Sequence, residues 1–296
     1  MLKHAETAGI YYVMIAGTLW SMMGLGIRLM ENATVWQILM YRSLSLVVFL
    51  YLVLLIKTKQ NPFLLLYYSR APAYCAAVGL FVAYSGGIYA IQNTTVANAM
   101  LLFASAPFIT AILGAILLGE KVPYYTIIAI FLAMGGVVIM VLESVGANTF
   151  KGGMAGIISA FGFSIFTICL RWGRQTDMLP SVFLSGFLAV SLSASICYYQ
   201  GLSFAISPVD TSLAFGLGVF QVGIGLIFYT LGSKTVPAAE LTLLSLSEVL
   251  LGPIWVWLFL GGSASTMTLF GGAVLLTAIV YNSILMIIKR KKEKIL

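Results

Sequence analysis

Apolar residues run in blocks of about twenty along the whole 296-residue chain, separated by short polar breaks. Each block can cross roughly 30 Å of hydrocarbon as a helix. The blocks are continuous, without the strict alternation over about 10 residues that marks a membrane β-strand. Spans are predicted near 9–29, 34–56, 72–91, 94–118, 123–142, 152–172, 179–199, 212–232, 237–260 and 266–288. The breaks read "ENAT", "KTKQNP", "QNTT", "GEKVP", "ESVGANTFKGG", "RWGRQTDMLP", "SPVDT", "SKTVP" and "GGSAST". Most are short enough to make consecutive helices antiparallel neighbours, with no room for an extramembrane domain. The expected fold is an all-α membrane protein of ten transmembrane helices.

Composition fits this pattern: 61% of residues are hydrophobic and 8% charged, against about 25% charged in soluble domains. The net charge of +7 does not point to nucleic acid, because the cations sit in short loops and the tail. Counted on alternate sides, thirteen Lys and Arg fall on one side, from Lys3 to Lys294. Only Arg28 and Lys151 fall on the other, and Arg42 lies within a span. Cation-rich loops stay cytoplasmic, so both termini are expected in the cytoplasm of a protein in the cell (cytoplasmic) membrane. The terminal "KRKKEK" is read as a topology anchor, with recognition of anionic lipid as the alternative. Cys75, Cys169 and Cys197 fall in apolar runs without metal-type spacing. The start, "MLKHAETAG", shows no small-residue cleavage site, and the first helix is expected to be retained.

The two halves resemble one another. "YAIQNTTVANAMLLFAS" from Tyr89 matches "YTLGSKTVPAAELTLLS" from Tyr229 at Tyr89/Tyr229, Thr95/Thr235, Val96/Val236, Ala99/Ala239, Leu101/Leu241 and Ser105/Ser245. "LLGE" at 117–120 parallels "FLGG" at 259–262. Five spans precede residue 150 and five follow it, and an odd number inverts the second copy in the membrane. Two inverted five-helix repeats, 1–150 and 151–296, are thus expected to form one transmembrane domain, an arrangement of secondary transporters.

At these residues the chain resembles the drug/metabolite transporter superfamily, specifically its EamA-type ten-helix transporters. The resemblance rests on "GTLWS" (17–21), "YRSL" (41–44), "APFITAILGAILLGE" (106–120) and "GG" at 135–136. In the second half it rests on the run from Gly218 to Gly262 and on "GG" at 271–272. It implies a substrate cavity between the halves, lined by spans 1–4 and 6–9, with spans 5 and 10 peripheral. One departure is that the first copy ends in Gly119-Glu120 and the second in Gly261-Gly262. Glu120 is therefore expected to be a helix-end structural residue.

Several residues are candidates for the site. Glu248 lies in the ninth span, in "LLSLSEVLLGPIWVWLFLGG". A carboxylate at a bilayer helix centre costs roughly 2.5–3.5 kcal/mol on insertion scales, which makes it a functional candidate by default. It shares a predicted face with Ser245 and Gly252, and could carry a proton, bind a substrate amine, or pair with Arg42. Arg42 in turn could bind a substrate carboxylate, pair with Glu248, or reach out to the interface. Trp20 and Tyr84 fall at mid-span, as either a stacking wall or core. Gly17, Ser21, Gly24 and Arg28 share one face, and Gly218, Gln221, Gly225 and Tyr229 another. Such small faces suit close helix packing, while Gln221 and Tyr229 need polar partners when buried. Trp255 and Trp257 are read as interfacial belt residues, and Pro107 and Pro253 as hinges.

The predicted function follows partly by exclusion. No Asp or His lies in a span, and neither HExxH nor GxSxG occurs, so an embedded enzyme is not expected. Charged rings and a carbonyl-filter loop, marks of a channel, are missing, as is the P-loop of an ATP-driven pump. What remains is a secondary transporter for a small organic metabolite, such as an amino acid or related amphipathic compound. It would work by alternating access, with neither cofactor nor metal, and the family resemblance favours export, coupled to protons or running down the substrate gradient. Uptake, exchange and multidrug efflux are alternatives, and oligomeric state is open.

Overall fold

The computed structural model describes residues 2–93, 99, 102–141, 150–261 and 266–292. The repeat residues Thr95, Val96 and Leu101 and the polar Asn98 lie outside these, as do the side chains of Arg28, Gln92, Pro253 and Trp257. Among the described residues every regular element is helical. The first half contains α1 (Leu2–Trp20), α2 (Met23–Arg28), α3 (Val35–Thr58), α4 (Pro62–Tyr67), α5 (Ala71–Asn93), α6 (Ala106–Leu118) and α7 (Tyr124–Val141). The second contains α8 (Phe150–Trp172), α9 (Leu179–Tyr199), α10 (Pro208–Gly216), a π-helical segment (Leu217–Ile224), α11 (Gly225–Gly232), α12 (Ala238–Ser245), α13 (Ser247–Leu260) and α14 (Thr266–Lys292).

The turn residues act as the breaks predict. Thr34 and Gln37 form a capping box, the Thr34 hydroxyl accepting from the Gln37 N–H and the Gln37 amide oxygen from the Thr34 N–H. Asn61 and Ser207 cap α4 and α10, each followed by a proline at the first helical turn. Gly119 ends α6 in the left-handed conformation.

Among the described residues, seven stretches are long and apolar enough to cross a membrane: Ala8–Ile27, Val35–Thr58, Ala71–Ala90, Phe150–Trp172, Leu179–Tyr199, Pro208–Gly232 and Leu269–Lys289. Ala106–Leu118 and Tyr124–Ile139 are shorter apolar helices. The helices are apolar on both faces: α3 buries Leu46, Leu50 and Leu54 and exposes Val48, Leu52 and Ile56. A helix that is hydrophobic all round but half exposed has lipid as its solvent. The protein is a multi-pass membrane protein.

The halves pack in a paired pattern. α5 lies on α8, and α1 lies correspondingly on α11; α5 meets α9 and the π segment meets α3; α6 meets α8 and α12 with α13 meets α1. α3 packs on α9, α6 on α12 and α7 on α14. Small residues allow the closest of these approaches. A Cβ on Gly162 would lie 2.7 Å from both the Gly79 carbonyl oxygen and the Ala83 nitrogen, and one on Gly136 2.7 Å from the Gly271 carbonyl oxygen. Close backbone contact of this type replaces the hydrophobic drive that lipid does not supply.

Candidate functional site

Three of the helices that meet at the centre are broken there. α1 gives way to α2 at Ser21–Met22, the run from Pro208 to Gly232 loosens into the π segment, and α12 gives way to α13 at Leu246. A fourth break, at Ala104–Ser105, precedes α6. At the three α-helical breaks an i−3 bond tightens the chain: Met22 N–H to the Leu19 carbonyl, Ser105 to Leu102 and Leu246 to Leu243, all 3.1–3.2 Å. A serine sits at each. The hydroxyls of Ser21, Ser105 and Ser245 donate to the carbonyls of Thr18, Leu102 and Thr242 at 2.6–2.8 Å. Such back-bonding competes with the helix ladder and bends it.

Trp20 ends α1 at the first break and is buried. Its ring centroid lies 5.1 Å from Tyr229 and 5.9 Å from Phe163. Tyr229 stacks nearly parallel to Phe166 at 6.1 Å, and its hydroxyl shares a 2.8 Å hydrogen bond with Thr167. Gly225 lets the indole lie against α11, since a Cβ there would occupy the ring. Gln221, in the π segment, donates its amide to the Trp20 carbonyl at 3.2 Å, while its side-chain oxygen is buried without a partner. The π turn sets Gln221 toward the α1 break, a placement that π-helical turns often serve at functional sites.

Glu248 begins α13 just past the Leu246 break. α1 packs directly on this junction: a Cβ on Gly17 would collide with the Ser247 hydroxyl and lie 3.6 Å from the Glu248 nitrogen. The Ser247 hydroxyl is buried and unpartnered. Glu248 is partly exposed, and its carboxylate forms no hydrogen bond or ion pair with the described residues. Arg42, in α3, is 6% exposed. Its guanidinium carbon lies 5.4 Å from the centre of the Tyr84 ring, and one amino nitrogen is 3.8 Å from the Met23 sulfur. Among the described residues the salt bridges are Lys57–Asp177 and Arg171–Glu120, so Arg42 and Glu248 do not pair.

The structure thus brings Trp20, Gln221 and Tyr229 into one cluster. Glu248 flanks it across Gly17, and Arg42 with Tyr84 flanks it across Met23. Ser245 is occupied within its own helix, and Ser247 faces α1 in its place, because the break shifts the phase of the face. Pro107 stands in the first turn of α6, where its missing N–H would have no helical acceptor anyway. The break is therefore at Ala104–Ser105, before the proline. Trp255 is not an isolated belt residue: its indole N–H donates to the Ser21 hydroxyl at 2.7 Å, tying α13 to the α1 break.

Two charged clusters frame this centre. Toward one end, the Arg171 Nε and a terminal nitrogen both donate to one Glu120 oxygen, at 2.9 and 2.6 Å, and the other terminal nitrogen reaches the Ser233 carbonyl at 2.9 Å. The second Glu120 oxygen accepts the Ala238 N–H at 2.9 Å, capping α12. At the other end the fully buried Asp210 accepts three backbone N–H groups, from Glu31, Asn32 and Ala33 at 2.9–3.1 Å. It holds the α2–α3 turn onto α10. Asp210, Trp255, Phe163 and Ser247 were not legible as partners; "SPVDT" reads only as a turn. The repeat-matched pair Ser105/Ser245 is the signal that locates two of the breaks.

The EamA-like transporter family model matches the chain twice, over residues 7–142 and 150–284. An "Uncharacterized transporter" of Archaeoglobus fulgidus is 29% identical over 204 residues, covering 69% of this chain and 73% of its own. The "Uncharacterized transporter YojE" of Bacillus subtilis is 22% identical over 265 residues, covering 82% and 83%. A solved crystal structure, 15% identical, superposes with a TM-score of 0.80 over 95% of this chain and 98% of that one, which shows the shared fold. Two tandem matches spanning nearly the whole chain, on an all-helical apolar fold, settle the family: this chain is a member of the EamA-like transporters.

Proposed function

We propose that the protein is a secondary active transporter that moves a small organic metabolite, an amino acid or related amphipathic compound, out across the cytoplasmic membrane by alternating access. The reading takes the chain as ten spans in two inverted repeats, 1–150 and 151–296, with both termini cytoplasmic. The thirteen-to-two charge split supports the orientation. The double family match and the paired helix packing support the repeat, since the main helix contacts have counterparts when helices of the two halves are exchanged.

The convergence of three broken helices on Trp20, Gln221, Ser247 and Glu248 carries the proposal. Irregular backbone inside a membrane is tolerated where it lines a cavity or is buried in protein, and in transporters such breaks lie at the substrate site. Trp20 and Tyr229 offer an apolar wall, while Gln221 and Ser247 offer unpartnered polar atoms. Glu248, without a cationic partner among the described residues, is the group that could exchange a proton between the two access states. Ser105 and Leu246 mark the flexing points of the fourth and ninth spans; Pro107 follows the first by two residues, and Pro253 follows the second by seven, as the candidate hinge prolines.

The test uses the purified protein in sealed vesicles loaded with a labelled metabolite mixture. Efflux of one component should follow an imposed pH gradient, and Glu248→Gln should remain folded and bind that component while losing the pH dependence. A Glu248→Gln variant with the wild-type pH profile would remove the coupling role.

A further inference from the structure

Each of the other strongly buried charges described above has an evident answer. Arg171 meets Glu120, and Asp210 meets three backbone N–H groups. Arg42 meets a thioether and an aromatic face. Neither can neutralise a guanidinium, and a buried cation left uncompensated is strongly unfavourable in a low-dielectric site. The contacts it does have are weak and can be displaced. Beside it the Tyr84 hydroxyl is buried without a hydrogen-bond partner. Its location ties it to the central cluster: Met23 follows the Trp20 break, and Gly218, one turn before Gln221, packs on the Arg42 carbonyl.

We propose that the transported substrate carries a single carboxylate, which Arg42 binds in place of Met23 and the Tyr84 face, and that Arg42 thereby sets the specificity of the site. This rests on the central cluster being the substrate site. A guanidinium presents two parallel N–H donors that match a carboxylate, and the pair is compact and neutral. Charge count favours a monoanion over a phosphate dianion, because among the described residues Arg42 and Arg171 are the only buried cations and Arg171 is taken. The substrate's apolar body then lies toward Trp20 and Tyr229.

The experiment compares leucine, leucinamide, 4-methylpentanoate and 4-methylpentanamide on the purified full-length protein, by thermal unfolding and by counterflow in vesicles. The acids should raise Tm, and each matching amide should need concentrations about tenfold or more higher, because the amide leaves the buried guanidinium unpaired. Arg42→Gln should abolish that acid–amide difference while its ligand-free Tm equals or exceeds the wild type, since an uncompensated charge has been removed. Arg42→Lys should keep part of the preference for the acids.

The proposal is overturned if no acid stabilises the protein, if the amides bind as well as the acids, or if Arg42→Gln keeps the discrimination. A ligand-free Tm well below wild type in Arg42→Gln, with discrimination intact, would assign Arg42 to the scaffold. Acid-selective binding without counterflow would leave the carboxylate site standing and remove the transporter reading. Counterflow of amides but not acids would do the reverse.

Discussion

Arg171 with Glu120, and Arg42 with Glu248, are two sets of opposite charges in one helical bundle, and they are treated oppositely. Arg171 and Glu120 come from the ends of α8 and α6, meet at 2.6 Å, and use their remaining atoms on backbone groups of the α11–α12 turn. Together these bonds join three elements. Arg42 and Glu248 lie in the apolar middle and do not meet. Where a fold uses charge for structure, it saturates it; the central charges are left open, at sites where the helices themselves are broken. The difference separates scaffold from proposed site without reference to any relative.

The largest effect should come from opening the saturated pair. Glu120→Ala leaves a nearly buried guanidinium and an uncapped α12, and should cost about 3–5 kcal/mol, the range for one-sided deletion of a buried pair. Thermal unfolding in detergent reads this as a large loss of Tm, whereas Glu248→Gln should lose none. Equal losses would erase the distinction between the two sets.

Asp210→Asn comes next. The amide keeps one acceptor oxygen where the carboxylate served three N–H groups, so about 1.5–3 kcal/mol should be lost, the worth of charge-assisted bonds. Protease susceptibility of the α2–α3 turn should rise with it. An unchanged turn would mean that the Thr34–Gln37 box alone holds that connection.

Tyr229→Phe keeps the stacked rings and removes only the hydroxyl shared with Thr167. The expected loss is about 1 kcal/mol. A much larger loss would show that this hydroxyl anchors the wall. Smallest is Lys57→Ala at the exposed pair with Asp177, where the side chains are 50% and 35% exposed. It should cost at most about 1 kcal/mol, because solvent screens the attraction. A greater loss would show that this pair also belongs to the scaffold.

The apolar runs, the breaks between them and the charge asymmetry were legible in the sequence because lipid imposes them residue by residue. Trp20, Gln221 and Tyr229 were legible as candidates because a bulky or polar group deep in a span has to be accommodated somewhere. Their mutual contact was not, since it depends on a π turn in "LGVFQVGI" that no periodicity announces. The Leu246 break was hidden for a similar reason. It lies inside a single predicted span, seven residues before the proline that suggests a hinge, and arises from backbone bonding at Ser245. Trp255 passes for an interfacial aromatic because its partner, Ser21, is 234 residues away. The alternative pairing of Arg42 with Glu248 was open on charge alone, and the helix positions decide against it.

The central claim is that the Ser247–Glu248 junction lines a site reached alternately from the two sides of the membrane. The most direct measurement places a single cysteine at Ser247 in a protein whose Cys75, Cys169 and Cys197 are replaced. An impermeant thiol reagent is then added to either face of sealed, oriented vesicles. The account predicts labelling from each face, slowed from both by the substrate, with trapping in one state abolishing labelling from the opposite face. A cysteine labelled from neither face, or from both faces in a trapped state, would contradict it.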